Sequence, residues 1–376
     1  MTPASISKKS CNLKGKQKLF YFFLDQTSSC CRSYPEILDP SKKLENYFEL
    51  WQQESQQLDQ GIEIPSCDSC WKRERKGEIS HRLQFGGDPS DIIELFFSNT
   101  CNQMCSYCSP KFSSVWQESI QSQGMFENIS QAAKNNLLTI NESTQRTEDW
   151  LDQLKTYINQ RPDNSVILKL LGGEPLMQIS KLQNLLQFQN KKIKTIKINT
   201  NLNPPSNKFL LWVLQNIDVE KLQISISLDA SLGYNRVPRS GFDQEKFAVN
   251  LQLLIDHGVN FRFMSVISVL NVFDLPNYVS WIKQNKFECD FFILNNPDCL
   301  DAKFVPQRFL QPLVAQFGDN TPPKLFSDLI KIERSEVGLK LFEQYNYLKQ
   351  YFDRTSTKIK DTVFEPYWTW LEERFK

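Results

Sequence analysis

Apolar and polar positions follow two textures along this chain. Up to about residue 90 the apolar positions are irregular. There a short aromatic run, Leu19–Leu24 (LFYFFL), reads as a strand, and the spacing over Lys42–Leu58 predicts a helix. From Asp91 onward, short apolar runs and longer amphipathic segments take turns. Ile92–Ser98, Ser165–Leu171, Thr195–Asn201, Leu222–Ala230, Phe261–Val269 and Asp290–Asn295 read as strands. Glu148–Gln160, Lys181–Gln189, Lys208–Asn216, Gln244–His257 and Leu275–Asn285 read as the helices between them. Gln117–Thr147 is polar and poorly periodic, and is expected to be an insertion. Helices are expected again from Phe304, ending in Glu365–Phe375, where aromatics and acids fall at helical spacing.

Six strand–helix units in series predict an α/β fold with a parallel sheet and right-handed crossovers. The expected division is a small cysteine-rich α+β module over residues 1–90, a partial barrel of six β/α units over 91–300, and a C-terminal helical extension over 301–376. In such sheets ligands sit at the carboxyl ends of the strands. Two strands carry polar residues on one face by the period of two: Asn199 and Asn201 on the third, and Ser225, Ser227 and Asp229 on the fourth.

Charge and hydropathy narrow the function. The 376 residues hold 44 basic and 43 acidic side chains, a balance that argues against a nucleic-acid surface. No apolar run approaches the roughly 20 residues of a membrane span, and no apolar stretch follows the basic N-terminus as a secretory signal requires. A cytoplasmic protein with no membrane or nucleic-acid partner is the expectation. In a reducing compartment close-spaced cysteines point to metal or chemistry rather than to disulfides, and eight of the ten lie before residue 110.

The densest group follows the strand at Ile92–Ser98: Cys101-Asn-Gln-Met-Cys105-Ser-Tyr107-Cys108. Three thiolates on one short loop can hold three irons of a [4Fe–4S] cluster and leave the fourth open. A zinc site lacking its fourth ligand is the alternative, but zinc sites usually show paired CxxC groups or a nearby histidine. About 65 residues on, the next strand ends Gly172-Gly173-Glu174-Pro175. Two glycines admit a ligand close to the backbone, and a carboxylate beside them can pair with an ammonium.

The pair CxxxCxΦC and GGE resembles the radical S-adenosylmethionine (SAM) superfamily. That resemblance implies a TIM-like partial (β/α)6 barrel, with a [4Fe–4S] cluster on Cys101, Cys105 and Cys108 as the catalytic metal ligands. It implies SAM chelated by the open iron and cleaved by one electron, giving a 5′-deoxyadenosyl radical that abstracts hydrogen from substrate. Tyr107 would lie at the adenine, while Gly172, Gly173 and Glu174 would hold the SAM amino group. Asn201, Ser227 and Asp229 would line the SAM pocket. Arg239, in Arg239-Ser240-Gly241, would pair with the SAM carboxylate, with Arg236 as its rival.

Cys11, Cys30, Cys31, Cys67 and Cys70 lie ahead of the barrel. The run Cys67-Asp-Ser-Cys70-Trp71-Lys-Arg-Glu74-Arg-Lys-Gly77-Glu-Ile-Ser80-His-Arg82 resembles the CxxC(W/Y)xxExxGxxSxR segment of twitch-type relatives of the SPASM radical SAM proteins. That likeness implies an auxiliary iron–sulfur cluster on Cys11, Cys30 or Cys31, Cys67 and Cys70. Zinc is the alternative metal, and the sequence departs from the pattern after Cys11, where a Pro-Trp is missing. Cys289 and Cys299 read as ordinary thiols. The expected function is a radical SAM enzyme, an oxidoreductase acting on a peptide or small molecule and fed by a flavodoxin or ferredoxin. The alternative is a non-catalytic or degenerate iron–sulfur or zinc protein.

Overall fold

The computed structural model describes residues 11, 13–84, 90–141, 147–178, 183, 185–186, 191–318, 320, 322–331 and 338–375. The strands in chain order are β1 (Gln17–Tyr21), β2 (Gln26–Ser28), β3 (Glu36–Ile37), β4 (Asp91–Phe96), β5 (Met104–Cys105) and β6 (Val166–Leu171). They continue as β7 (Ile193–Thr200), β8 (Leu222–Ser227), β9 (Arg239–Ser240), β10 (Asn260–Ile267) and β11 (Cys289–Ile293). The fold is mixed α/β, with a large, mostly parallel sheet.

Two compact units divide the chain: residues 1–98, 141–198 and 215–223 form one, and 99–140, 199–214 and 224–376 the other. In the first, the strand order is β7-β6-β4-β1-β2-β3, with β7, β6, β4 and β1 parallel and β2 and β3 returning antiparallel. The aromatic strand β1 pairs with β4 in register Leu19↔Glu94, so a segment assigned to the cysteine-rich module shares a sheet with the first strand of the expected barrel. Every residue of β1 is buried, and its aromatic character is spent on ring packing: Phe20 on Phe22 at 5.7 Å and Phe22 on Phe97 at 5.1 Å.

In the second unit the order is β11-β10-β8, with β5 and β9 forming a separate antiparallel ribbon. Strand β8 shows the expected alternation, Leu222, Ile224 and Ile226 fully buried and Gln223, Ser225 and Ser227 half-buried. The polar stretch read as an insertion contains two helices, Ser114–Gln123 and Gln131–Asn136, capped by Ser113 and Ser130. Their few buried positions (Trp116 and Ile120; Ala133) are too sparse to set a helical period. The expected C-terminal helices form at Gln307–Gln316, Lys324–Ile330, Gly338–Thr355 and Glu365–Phe375. The helix expected at Lys181–Gln189 lies largely outside the described residues. No described helix is long and apolar enough to cross a membrane.

Candidate functional site

The cysteine loop begins a few residues after β4 and owes its shape to bonds on its backbone. Ser113 Oγ donates to the Gln103 carbonyl at 2.8 Å while accepting from Trp116 N–H at 3.3 Å, so one hydroxyl caps the next helix and holds the loop. Trp116 Nε1 donates to the Cys105 carbonyl at 2.8 Å. Tyr351 and Tyr347, from the helix Gly338–Thr355, donate to the carbonyls of Met104 and Ser106, each at 2.8 Å. Three consecutive carbonyls thus each accept from an aromatic side chain, so this short buried stretch is left without orphaned acceptors. Sequence reasoning missed both tyrosines; their spacing of four puts them on one helix face but does not mark them as site residues.

The ribbon β5/β9 brings Arg239 opposite Cys105. Arg239 Nε donates to Asp229 Oδ2 at 2.6 Å, its Nη1 lies 3.5 Å from Cys105 Sγ, and its Nη2 donates to Tyr107 Oη. Tyr107 Oη donates in turn to Asp229 Oδ2 at 2.6 Å. The other carboxylate oxygen accepts from Val266 N–H at 2.8 Å, and the Asp229 backbone is tied to Asn235 and Asn271. Three residues named separately from the sequence, the buried Asp229 and Arg239 and the half-buried Tyr107, therefore form one array beside Cys105. Arg239 is engaged with Asp229, Tyr107 and Cys105, whereas its rival Arg236 is exposed.

Burial sets the charge states here. Desolvation pushes the Cys105 thiol up, with the Arg239 guanidinium opposing it. Cys108 is pushed up to about 12, by burial first and then by the nearby Cys105. Burial raises Tyr107 well above its ordinary value. Burial alone would lower Arg239, but Asp229 and Tyr107 outweigh it and keep the guanidinium charged.

Asn201 lies against this loop: its Nδ2 donates to Asn102 Oδ1 at 3.0 Å and sits 3.9 Å from Cys101 Sγ. Ser227 is half-buried at the end of β8. Two buried polar groups of the loop, Gln103 Nε2 and Ser106 Oγ, have no partner among the described residues. Nitrogen donors stand beside two of the loop's three thiols, Arg239 Nη1 at Cys105 and Asn201 Nδ2 at Cys101, contacts of the kind that cluster-ligating sulfurs accept.

In the first unit, Gly172 takes φ +121°, and a Cβ there would lie 2.9 Å from the Ser98 carbonyl. Gly173 N–H donates to that same carbonyl at 3.1 Å. Glu174 is buried, and its Oε1 accepts from Leu176 N–H at 3.0 Å, capping the 3-10 turn Pro175–Met177. Beside Gly172 the buried amide of Gln178 has no partner among the described residues, a polar group the sequence did not single out.

Cys11, Cys30, Cys67 and Cys70 line one small cavity in the same unit, closed by Leu13 and Arg82. All four are buried, whereas Cys31 is exposed with its Sγ 3.2 Å from His81 Nε2. Among the described residues no group of three or more His, Cys, Asp or Glu side chains is placed to hold a metal ion, in this cavity or on the loop of Cys101, Cys105 and Cys108. Burial raises Cys11 and pushes Cys67 up to about 12. The segment after the CxxC is knit by its own motif. Arg82 Nε donates to Glu74 Oε1 at 2.7 Å, Ser80 Oγ donates to the same carboxylate, and the Arg82 guanidinium lies 4.0 Å over the Trp71 ring. Gly77, at φ +75°, ends the helix Asp68–Arg75 in the left-handed turn that glycine favours. Cys289 meets Tyr278 Oη at 3.6 Å, and Cys299 is fully buried.

No protein-family model matches the chain, and no curated protein matches it. Among solved structures, Streptococcus suis SuiB bound to S-adenosylmethionine is similar over 78% of this chain and 64% of that one, at 14% identity and a TM-score of 0.40. Native anSMEcpe with bound AdoMet is similar over 54% of this chain and 50% of that one, at 16% identity and a TM-score of 0.38. The chain thus spans about half the length of anSMEcpe and less than two thirds of SuiB.

Proposed function

We propose that the chain is a radical SAM enzyme whose Cys101, Cys105 and Cys108 hold a [4Fe–4S] cluster. When bound, that cluster supplies the electron that splits SAM into methionine and a 5′-deoxyadenosyl radical able to take hydrogen from substrate. The observation carrying this reading is the hydrogen-bonded array Asp229–Arg239–Tyr107 against Cys105. A fixed guanidinium beside a thiol favours the thiolate a metal requires, and Asp229 keeps that guanidinium oriented. Tyr107 is aligned from both sides, by donating to Asp229 and accepting from Arg239, so its ring presents one fixed face to an adenine. Gly172, Gly173 and Glu174 take the amino group of SAM in this reading, and Asn201, Ser227 and Asp229 line its pocket.

The reading extends to a partial barrel over 91–300, flanked by the cysteine-rich module 1–90 and the extension 301–376. It also places a twitch-like auxiliary cluster on Cys11, Cys30, Cys67 and Cys70, supported by their shared cavity, with Cys31 turned instead to His81. The substrate is a peptide or small molecule, met in the cytoplasm.

Anaerobic reconstitution with iron and sulfide, followed by dithionite and SAM, tests the proposal through 5′-deoxyadenosine. The wild type is expected to form it and Cys105→Ala to form none while remaining folded. Formation by that variant at the wild-type rate overturns the assignment.

A further inference from the structure

We propose that a basic pocket on the back of β9 is the docking point of an acidic one-electron donor protein. The inference rests on reading Cys101, Cys105 and Cys108 as iron–sulfur ligands. A cavity of about 380 Å³ opens between residues 236–242 and the C-terminal end of the helix Gly338–Thr355, lined among others by Arg236, Ser240, Gly241, Thr355, Thr357 and Lys358. Its chemistry has one sign: two cations, several hydroxyls and no carboxylate. Arg236 and Lys358 are exposed, and among the described residues neither is held in an ion pair.

The position decides what such a pocket can serve. Successive residues of a strand point to opposite faces. Arg239 faces Asp229, Tyr107 and Cys105, so Ser240 faces away from them, into the cavity. One backbone ribbon therefore separates the pocket from the Cys105 thiol: Cys105 pairs with Arg239 and Met104 with Ser240. Tyr351 spans the same layer, its hydroxyl accepting from Ser240 N–H at 3.3 Å and donating to the Met104 carbonyl at 2.8 Å. The ribbon cannot open to a substrate without tearing these bonds, because the Gly241 Cα sits so tightly that a Cβ there would lie 2.5 Å from the Asn102 carbonyl. An electron needs no aperture, and a cationic surface attracts and orients an acidic partner. In the transfer one electron leaves the reduced donor, which is oxidised by one, and enters the iron–sulfur group, which is reduced by one. No bond or proton moves.

Binding of a purified acidic flavodoxin to the reconstituted holoprotein, followed by calorimetry at low salt, tests the proposal. Arg236→Glu/Lys358→Glu is expected to weaken binding about tenfold and to flatten its salt dependence. SAM cleavage driven by reduced flavodoxin should fall by a similar factor, while cleavage driven by dithionite stays at the wild-type rate. Unchanged flavodoxin affinity and salt dependence overturn the docking site and leave the cluster reading intact. Inorganic phosphate binding that the variant loses, with flavodoxin binding unchanged, overturns it in favour of a small-anion site. Absence of dithionite-driven cleavage in the wild type removes the premise instead.

Discussion

Tyr351 donates its hydroxyl to the Met104 carbonyl at 2.8 Å although 247 residues separate the two. Tyr347, four residues earlier on the same helix face, does the same for Ser106. The C-terminal extension therefore closes the backbone accounting of the cysteine loop. A loop that must present three thiols in fixed positions cannot spend its own side chains on holding its carbonyls, and here three aromatic residues from elsewhere do so.

Tyr351→Phe keeps the ring packing and deletes only the hydroxyl, leaving the Met104 carbonyl buried without that donor. A loss of about 1–3 kcal/mol is expected, read as a lower urea midpoint. Because the loop loosens, iron retained after desalting should also drop. Wild-type stability together with wild-type iron content would show that this bond contributes nothing.

Asp229 and Arg239 form an ion pair with almost no exposure on either partner. Removing one partner strands a buried charge, so Asp229→Asn is expected to cost about 3–5 kcal/mol. Asp229→Leu/Arg239→Met removes both charges and is expected to cost less than the sum of the two single changes. Additive losses in a double-mutant cycle would contradict a direct coupling.

The strands and long helices were legible because each has its own period: β8 alternates buried Ile224 and Ile226 with half-buried Ser225 and Ser227, and Glu365–Phe375 forms as spaced. The array beside Cys105 was legible only as separate residues. Tyr107, Asp229 and Arg239 each stand at a strand end or motif, but nothing local says that one guanidinium joins all three. Tyr347, Tyr351 and Trp116 were illegible as site residues, since an aromatic on a helix face reads as core until its hydroxyl or indole N–H finds a distant carbonyl. Glu74, Gly77, Ser80 and Arg82 were recognised as a pattern, and their physical reason, a carboxylate gathering a hydroxyl and a guanidinium stacked on Trp71, came only from contacts.

Lys18 supplies a pH dependence. Burial lowers its pKa from 10.5, with Asp91 at 3.1 Å opposing the shift. Between the lowered folded value and 10.5 the unfolded chain binds more protons, so stability rises with pH through that window; below it the penalty of holding a buried ammonium is fully present. Lys18→Met removes that titration. The stability difference, variant minus wild type, is expected to move against the variant as pH climbs toward 10.5, tracked by urea midpoints. A pH-independent difference would mean that Lys18 titrates at the same pH in the folded and unfolded chains.

Gly241 tests the loop geometry from the backbone side. It combines φ +91° with a position where a Cβ would lie 2.5 Å from the Asn102 carbonyl. Gly241→Ala therefore faces both a left-handed backbone and a backbone clash, and neither can be relieved by rotating a side chain. The expected cost is about 1–3 kcal/mol for the conformation alone, plus displacement of the residue next to Cys101. Gly124→Ala is the control, because Gly124 has φ +80° with nothing within 4 Å of the added carbon. Both variants should lose stability through strain, but only Gly241→Ala should also lose iron, since only it pushes on the cysteine loop. Equal iron loss in the two would assign the effect to general destabilisation rather than to this contact.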